Sequence, residues 1–282
     1  MRVGVTMFAT DQAMAIDALA RAAEERGFFS LYLPEHTHIP TNRATAAPTG
    51  DAELPNQYSH TLDPFVALTT AAAVTKRLRI GTGIALVAQR DPIVTAKEVA
   101  TLDFLSGGRF TFGIGFGWNR EEMADHGVEY SQRRAIVREK VLAMRRLWED
   151  DEASFTGEHV QVAPSWAWPK PVQGPRLPVL IGGAAGPQLF AHVVEYADGW
   201  IPIGGAGLTK ALPELRALAE RAGRDPDDLR VVPFGTIPDQ GKLDHYASLG
   251  IDEVVVRAPS APADPVLRVL DEYAPFVSEI GA

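Results

Sequence analysis

The chain has 282 residues, 46% of them hydrophobic, and a formal net charge of -9 at pH 7. So acidic a chain offers no basic face for the phosphates of a nucleic acid, and the absence of cysteine excludes disulfides, thiolate metal sites, iron–sulfur clusters and cysteine nucleophiles. Its length allows two small domains or one α/β barrel of ~250 residues.

The amino terminus is a short strand-like run without the long apolar core of a signal peptide. No segment approaches the ~20 apolar residues that a membrane-spanning helix needs. We therefore expect a cytoplasmic enzyme that acts on a small-molecule substrate and binds neither nucleic acid nor membrane.

Apolar runs and amphipathic helical patterns alternate along the whole chain. The predicted strands cover residues 2–8, 29–33, 79–87, 109–114, 178–181, 199–202, 230–235 and 253–257. The predicted helices cover residues 12–26, 63–76, 91–105, 120–148, 187–196, 208–222, 242–249 and 264–280. Eight strands, each followed by a helix, predict one (β/α)8 TIM barrel domain over residues 1–282.

Two long insertions interrupt the alternation. Residues 36–60 follow the second strand and are polar and rich in proline and threonine, which is typical of an active-site lid. Residues 151–176 precede the fifth strand and contain a possible hairpin followed by the sequence PSWAWPKPVQGP. Loops of this length in a compact domain are usually functional or disordered.

Asp-Pro dipeptides mark several predicted helix starts. Asp63, Asp91 and Asp264 each precede a proline at the first helical position, where the missing N–H costs little. These dipeptides also suit ordinary loop turns, but the periodic apolar residues after them favour helix caps. Asp225 and its following proline predict a fourth, very short turn.

In a barrel of this kind the active site lies in the loops after the strands, and the second strand is followed by Glu35, His36 and His38. His36 suits an acid/base role because its charge state is easily tuned near neutral pH. A metal site would need ligands from other strand ends, and only His126 is placed to supply one, so we predict no metal. His38 equally fits a solvated loop histidine.

Two glycine-rich turns follow later strands. The sequence GIGFG, from Gly113 to Gly117, is a weak dinucleotide signal, and it fits a plain tight turn as well as close approach of backbone to a flat ring. Gly182, Gly183 and Ala184 begin a small-residue turn before a helix, which favours phosphate binding over a plain turn.

Tryptophans offer a second recognition element. Trp166 and Trp168 in the second insertion, together with Trp118 and Trp200, suit the roof of an aromatic ligand. Each of them taken alone fits ordinary packing as well. We assign Trp166, Trp168 and His38 to the substrate and lid region.

Several motifs together closely resemble the bacterial luciferase-like superfamily, and more narrowly its branch of probable F-420-dependent oxidoreductases. The motifs are PEHTHIP after the second strand, TGIALVAQRDPIVTAKEVATLDFLSGGR, FGIGFGWNREEM, LIGG and ADGWIP. The likeness covers nearly the whole chain, and the run from Gln89 to Trp118 is its most specific part.

The resemblance implies a single-domain barrel, often a homodimer, that binds a flavin or 5-deazaflavin at the carboxyl ends of its strands. It also implies a non-proline cis peptide behind the ring, which by position is Gly83–Ile84, and a phosphate at Gly182 and Gly183. The cofactor-binding set is then Glu35, His36, Gly83, Ile84, Gly115, Gly117, Trp118, Asn119, Gly182, Gly183 and Ala184.

Sugar-phosphate dehydrogenases of the superfamily have an acidic residue and a proposed catalytic histidine after the second strand, which Glu35 and His36 match. They also have a glutamate after the glycines of the fourth strand, where this chain has Trp118. This departure argues against sugar-phosphate oxidation. Glu121 and Glu122 are near, but they are typical carboxylates of a first helical turn.

The leading function is therefore an F-420-dependent oxidoreductase with His36 and Glu35 as its catalytic residues. The alternative is an FMN-dependent monooxygenase that uses O2 and a separate flavin reductase. A non-catalytic flavin-binding barrel and a metal-dependent barrel hydrolase are more distant alternatives.

Overall fold

A computed structural model describes residues 1–47 and 53–277, which form a curled parallel sheet surrounded by helices. The strands are β1 (Arg2–Thr6), β2 (Ser30–Leu33), β3 (Arg79–Thr82), β4 (Phe110–Ile114), β5 (Ala153–Thr156), β6 (Gln161–Ser165), β7 (Val179–Gly182), β8 (Gly199–Ile201), β9 (Arg230–Val231), β10 (Phe234–Thr236) and β11 (Glu253–Arg257). Nine of them form the sheet, in the order β10-β11-β1-β2-β3-β4-β7-β8-β9, and β5 and β6 form a separate antiparallel pair.

The helices follow the strands as the sequence predicts. They are α1 (Ile16–Glu25), α2 (Pro64–Val74), α3 (Pro92–Ser106), α4 (Arg120–Asp125), α5 (Arg133–Glu149), α6 (Pro187–Tyr196), α7 (Leu208–Arg221), α8 (Gln240–Ser248) and α9 (Ala263–Tyr273). Within the described residues, no helix is both long enough and apolar enough to cross a membrane. Consecutive parallel strands joined through helices bring all carboxyl strand ends to one face, which we call the carboxyl-end face.

The seventh predicted strand, 230–235, is interrupted rather than continuous. Pro233 has no N–H to donate to a ladder, and the strand divides around it into β9 and β10. The segment pairs with β8 on one side, where Val232 N donates to Trp200 O at 2.9 Å. On its other side, Val255 N of β11 donates to Pro233 O at 2.8 Å.

The third predicted strand, 79–87, is shorter than expected and ends at Thr82. The Gly83–Ile84 peptide is not cis, so the expectation of a cis bond there is wrong; the cis bond of the described residues is Trp168–Pro169. On either side of the expected bond, Gly83 N donates to Leu33 O at 2.7 Å and Ala85 N to Gly113 O at 2.8 Å. The trans backbone thus bonds to β2 on one side and to β4 on the other.

Two predicted helices are also divided. The helical stretch 120–148 is two helices, α4 and α5, because Gly127 between them has φ 73°. The final helix, predicted over 264–280, ends at Tyr273, and a turn at Ala274–Phe276 that contains Pro275 follows. The last three residues of that prediction lie outside the described residues, as do residues 48–52 of the predicted lid insertion.

Apolar side chains fill two separate cores. The larger lies between the sheet and its helices and includes Leu19, Leu68, Val99 and Phe112. The smaller lies on the inner side of the curled sheet, where Ile84 packs on its buried members: Tyr32, Leu180, Ile201, Val232, Phe234 and Val255. This inner core forms the floor beneath the carboxyl-end face.

The four Asp-Pro dipeptides predicted three helix caps and one short turn, and all but one of these predictions are confirmed. Asp63 caps α2 by accepting from Val66 N at 2.9 Å, and Asp91 caps α3 by accepting from Ile93 N at 2.9 Å and Val94 N at 2.8 Å. Asp225 caps a short turn, as predicted. Asp264 is wrong as a cap, because α9 begins one residue before it and the cap position is Pro262.

Replacing Asp91 with alanine should lower the free energy of unfolding by about 1 kcal/mol, because two N–H groups at the start of α3 lose their acceptor. The matched control is Asp264→Ala, since Asp264 also precedes a proline but is not a cap. We expect the control to change stability by less than ~0.5 kcal/mol. Equal losses in urea unfolding would show that the capping bonds of Asp91 contribute nothing.

Candidate active site

His36 lies just beyond the carboxyl end of β2 and is 8% exposed. Its Nδ1 is 2.8 Å from Oε2 of Glu122, whose side chain is buried in the first turn of α4. A carboxylate can only accept, so Nδ1 carries the hydrogen and Nε2 of the neutral ring is free to accept a proton. Within residues 1–47 and 53–277, Nε2 of His36 has no hydrogen-bond partner.

Glu122 is held in place from both sides. Asn119 caps α4 by accepting from Glu122 N at 3.3 Å, which fixes the turn that carries the carboxylate. The second carboxylate oxygen of Glu122 accepts from Thr37 N at 3.1 Å. Glu122 thus binds two successive residues after β2 and orients the imidazole of His36.

Aromatic rings cover His36. Tyr58 from the lid insertion lies 5.3 Å from the His36 ring, and Trp118 lies 5.6 Å from it, both measured between centroids. Burial raises the pKa of Tyr58, so its hydroxyl stays protonated at neutral pH. Trp118, the predicted departure from the sugar-oxidising relatives, therefore lies directly against the imidazole.

Glu35 has a different environment from its neighbour. Its Oε2 accepts from Leu86 N at 2.7 Å and its Oε1 accepts from Arg90 Nε at 2.7 Å. Arg90 also pairs with Asp63 at 2.7 Å and with Glu98 at 3.0 Å. The described contacts of Glu35 thus tie β2 to the loop after β3 and do not include His36.

The glycines at this face make room for protein side chains. A Cβ on Gly115 would lie 2.5 Å from Cγ2 of Ile84, and one on Gly182 would lie 2.3 Å from its Cδ1. A Cβ on Gly117, whose φ is 74°, would lie 2.1 Å from Cε of Met123. Ile84 therefore spans the ends of β4 and β7 as an apolar platform.

Gly83 lies under the same platform, where a Cβ would be 3.0 Å from both Phe234 and Tyr32. Of the two interpretations of the glycine turns, close packing is observed at Gly83, Gly115 and Gly117. A flat ring would meet the Ile84 side chain rather than the bare backbone of Gly115 or Gly182.

The turn at Gly182, Gly183 and Ala184 leads to the amino terminus of α6. The cap residue Gly186 supplies no side-chain acceptor, and Ala184 is exposed. The first N–H groups of α6 therefore remain available to an anion. Trp200 Nε1 donates to Gly183 O at 2.8 Å, so the predicted ligand-roof residue Trp200 packs beneath this turn.

The remaining predicted residues lie apart from His36. His38 is half exposed and pairs with Asp125 at 2.9 Å on the outer side of α4. Trp166 and Trp168 are 80% and 58% exposed and lie beside α3, where Lys97 Nζ donates to Trp168 O. In the described residues, no group of three or more histidines and carboxylates is placed to hold a metal ion.

Glu121 fastens the lid insertion to α4. Its Oε1 accepts from Ala44 N at 2.9 Å and from Thr45 N at 3.1 Å. The Thr45 hydroxyl and these N–H groups lower the pKa of Glu121 to about 2. We call these contacts of Glu121 with Ala44 and Thr45 the clasp. The pKa of Glu121 in the folded protein is depressed below its ordinary value of 4.5, so the stability that the clasp contributes is fully present above pH 4.5 and is lost as the pH falls towards 2.

Replacing Glu121 with glutamine should loosen this clasp without unfolding the protein. We expect the hydrogen-exchange protection of Ala44 and Thr45 to fall roughly threefold to tenfold at pH 7, because a charged acceptor is lost. The exposed hairpin variant Glu158→Gln is the control and should leave that protection unchanged. Equal protection in both variants would rule out Glu121 as the clasp.

The sequence placed Arg90 after the third strand without giving it a role, and it gave no sign of Tyr58 or of the pairing role of Glu122. Glu122 was interpreted correctly as a first-turn carboxylate, but its contact with His36 was not foreseen. The available signal was Asn119 followed three residues later by Glu122, the spacing of a capping box. In such a box the glutamate reaches back to the cap, and here it binds His36 instead.

Comparison with known proteins now identifies the family. The model of the family described as luciferase-like monooxygenase matches residues 2–237. This chain belongs to the luciferase-like monooxygenase family. Its members are oxidoreductases, so the resemblance inferred from the sequence is confirmed, and the chain is one of these enzymes.

Relatives within the luciferase-like family include F420-dependent proteins. An uncharacterised protein of Mycobacterium tuberculosis is 44% identical over 277 residues, which cover 97% of this chain and 98% of that protein. The F420-dependent hydroxymycolic acid dehydrogenase of the same species is 28% identical over 290 residues, covering 96% of this chain and 75% of that enzyme.

Solved structures share the fold at low identity. The monooxygenase RslO1 from Streptomyces bottropensis has a TM-score of 0.78 at 20% identity and covers 98% of each chain. An F420-dependent secondary alcohol dehydrogenase, solved with an F420-acetone adduct, has a TM-score of 0.77 at 18% identity and covers 100% of each chain. The luciferase-like fold thus serves both kinds of enzyme.

Proposed function

We propose that this chain is an F-420-dependent oxidoreductase that moves a hydride between the 5-deazaflavin and a small organic substrate. The observation that carries the proposal is the buried His36–Glu122 pair, with Nε2 of His36 unbonded within the described residues. A histidine held in one tautomer beside an aromatic wall suits proton transfer to or from a substrate hydroxyl. The F420-dependent hydroxymycolic acid dehydrogenase among its relatives supports the choice of cofactor.

The residues present fit a deazaflavin. Ile84 offers an apolar platform for one face of the ring, and Trp118 and Tyr58 pack against His36 at the same carboxyl-end face. The uncapped amino terminus of α6 after Gly182, Gly183 and Ala184 suits the cofactor's phosphate. Asn119 Nδ2 is buried without a partner among the described residues, which leaves it a donor for the ligand.

Bound F-420 would supply the carbon that accepts or returns the hydride. Side chains of the protein would transfer the accompanying proton. In the oxidation of an alcohol, Nε2 of His36 takes the hydroxyl proton as the carbon–oxygen double bond forms, and Glu122 stabilises the resulting imidazolium. The lid insertion, held by Glu121, would keep water from the reacting centre.

Titrating the purified protein with F-420 and with FMN tests the proposal. We expect F-420 to bind and to be bleached in its visible absorption when a secondary alcohol such as propan-2-ol, cyclohexanol or 2-hydroxyoctanoate is added. Tight FMN binding without affinity for F-420 would overturn the proposal. That result would favour the second candidate function, an FMN-dependent monooxygenase. The family description and the shared fold of the monooxygenase RslO1 support this candidate.

We also infer that the curled sheet closes into a (β/α)8 barrel. The segment around Pro233 supports closure because it bonds to β8 through Val232 and to β11 through the Pro233 carbonyl. Ile203 and Phe234 add a parallel bridge across the same seam. Closure would account for the inner core of Tyr32, Leu180 and their neighbours, which only a sheet curved on itself can enclose.

We propose further that two copies associate through the outer face of α2 and α3. Large apolar side chains are exposed there and on the segment beside α3: Val66, Ile93, Val94, Phe104, Leu105, Trp166, Trp168 and Val172. Exposed patches of this kind are typical of interfaces, and a second copy brings an identical patch that buries this one in a two-fold dimer.

The double variant Phe104→Glu/Leu105→Glu tests the dimer. Sedimentation velocity should give a dimer for the wild type and a monomer for the variant, because four carboxylates would meet in the interface. Lys210→Glu, which places a carboxylate on the exposed start of α7, is the control and should remain dimeric. A wild-type monomer would refute the proposed interface.

A further inference from the structure

Two exposed apolar side chains lie at the carboxyl-end face, far from α2 and α3 in the sheet order. Ile203 follows β8 and Ile237 follows β10, and they are 74% and 66% exposed. Ile203 pairs with Phe234, and Gly204 N donates to Phe234 O at 2.7 Å. These two isoleucines therefore flank the end of β10 on the same face as His36.

Arg257 ends β11 beside them and is exposed. Its guanidinium lies over Gly235, where a Cβ would be 3.1 Å from Nη2. The ion pairs of the described residues include no partner for Arg257, whereas Arg90 at the same face is matched by three carboxylates. Arg257 thus offers a free planar donor at the mouth of the site.

A second group beside Arg257 also has no partner. Thr236 is 7% exposed, and its hydroxyl has no hydrogen-bond partner among the described residues. It adjoins Gly235, over which the guanidinium lies. A buried hydroxyl without a partner costs free energy that a bound acceptor would recover.

The positive charge of Arg257 also acts on Tyr58, which lies near the centre of the site. Burial raises the pKa of the Tyr58 hydroxyl, and the guanidinium of Arg257 opposes that rise. The Tyr58 ring in turn lies 5.3 Å from the ring of His36. Arg257, Tyr58 and His36 therefore follow one another across the carboxyl-end face.

We propose that Ile203, Thr236, Ile237 and Arg257 form a subsite for the carboxylate end of an apolar organic acid. The carboxylate would accept from the Arg257 guanidinium and the Thr236 hydroxyl, and the hydrocarbon body would lie against the two isoleucines. This inference rests on the proposed function, because it assigns the chemical class of that enzyme's substrate.

The composition of the subsite selects a carboxylate over a phosphate. One guanidinium matches the two oxygens and the single negative charge of a carboxylate. A phosphate dianion would need additional cationic side chains to balance its charge, and the proposed subsite contains only Arg257. The exposed isoleucines would be left in water without an apolar ligand to cover them.

Calorimetric titration of the cofactor-free protein with octanoate and with octan-1-ol tests this subsite. We expect the wild type to bind octanoate about tenfold to a hundredfold more tightly than Arg257→Gln does, since a charged hydrogen bond is lost. Octan-1-ol should bind both proteins equally and more weakly. Thr236→Val, which keeps the shape and removes the hydroxyl, should weaken octanoate binding severalfold.

Arg268→Gln on α9 removes an exposed arginine elsewhere and should leave octanoate binding unchanged. The subsite is refuted if octanoate fails to bind at millimolar concentration, if it binds no tighter than octan-1-ol, or if Arg257→Gln binds it as the wild type does. Because no cofactor is present, these results are independent of the F-420 titration. F-420 binding without octanoate binding would overturn the subsite alone.

Discussion

Replacing His36 with alanine is expected to lower kcat by about 10²- to 10⁴-fold, the usual contribution of a positioned acid/base group. The residue is buried, and its Nδ1 is bonded to Glu122 at 2.8 Å, so only Nε2 can exchange a proton with substrate. The measurement is steady-state turnover with F-420 and the most active alcohol of the panel given above. Added imidazole should restore part of the lost turnover, since alanine leaves room for the free ring.

Two comparison variants separate proton transfer from damage to the fold. Glu122→Gln keeps the size of the side chain but removes the carboxylate that selects the tautomer, and we expect a loss of about 10- to 100-fold that imidazole does not restore. Glu158→Gln, exposed on the hairpin, should turn over like the wild type. Unchanged turnover in His36→Ala would remove the residue from the mechanism.

The sequence predicts the parts of this site that depend on local patterns, but not the contacts between residues far apart along the chain. The strands and the residues after each of them follow from local periodicity, so the position of His36 beyond β2 was predictable. Its partner Glu122 lies 86 positions away along the chain. One sequence has no local signal for such a contact, although the capping spacing of Asn119 and Glu122 marked the turn that supplies it.

The glycines show a different limit. Gly115 was predicted to lie in a tight turn or against a flat ring, and Gly182 in a phosphate-binding turn, but the sequence does not say what occupies the space beside them. In the structure Ile84 takes it, and this depends on the register of β3, β4 and β7 together. The Gly83–Ile84 peptide is trans, contrary to the expectation from the resemblance.

The insertions were the least predictable parts. The possible hairpin in the second insertion is confirmed as the antiparallel pair of β5 and β6. Trp166 and Trp168 were assigned to a ligand roof, yet the structure brings them to α3, where they extend an exposed apolar face. Nothing in the local sequence PSWAWPKP states which side of the fold it crosses.

Replacing Arg90 with methionine is expected to lower the free energy of unfolding by about 3–5 kcal/mol, the usual cost of breaking a buried ion pair by removing one partner. The Glu35 side chain is 1% exposed and would keep only the Leu86 N–H as a donor. Burial alone would lower the pKa of Arg90, but the carboxylates of Glu35 and Asp63 raise it, so the guanidinium stays charged throughout the neutral range.

Urea unfolding measures this loss, and Arg146→Met is the matched control. Arg146 pairs with Asp150 on the exposed surface of α5, so its replacement should cost less than ~1 kcal/mol. Adding Glu35→Gln to Arg90→Met should recover part of the loss, because a buried neutral amide is tolerated better than an unpaired carboxylate. A loss no larger than the control's would mean that Glu35 finds another donor.

The Arg90 variant also tests how Ile84, the proposed cofactor platform, is held. Glu35 connects Arg90 to the backbone of Leu86, two residues beyond Ile84, and Glu35 N donates to Ile84 O at 3.2 Å. Without the Arg90 side chain, Glu35 loses its ion pair and this loop loses one of its anchors, so the affinity for F-420 should fall together with stability. A destabilised variant with unchanged cofactor affinity would show that Ile84 is positioned by the sheet alone, and that Glu35 serves stability rather than the site.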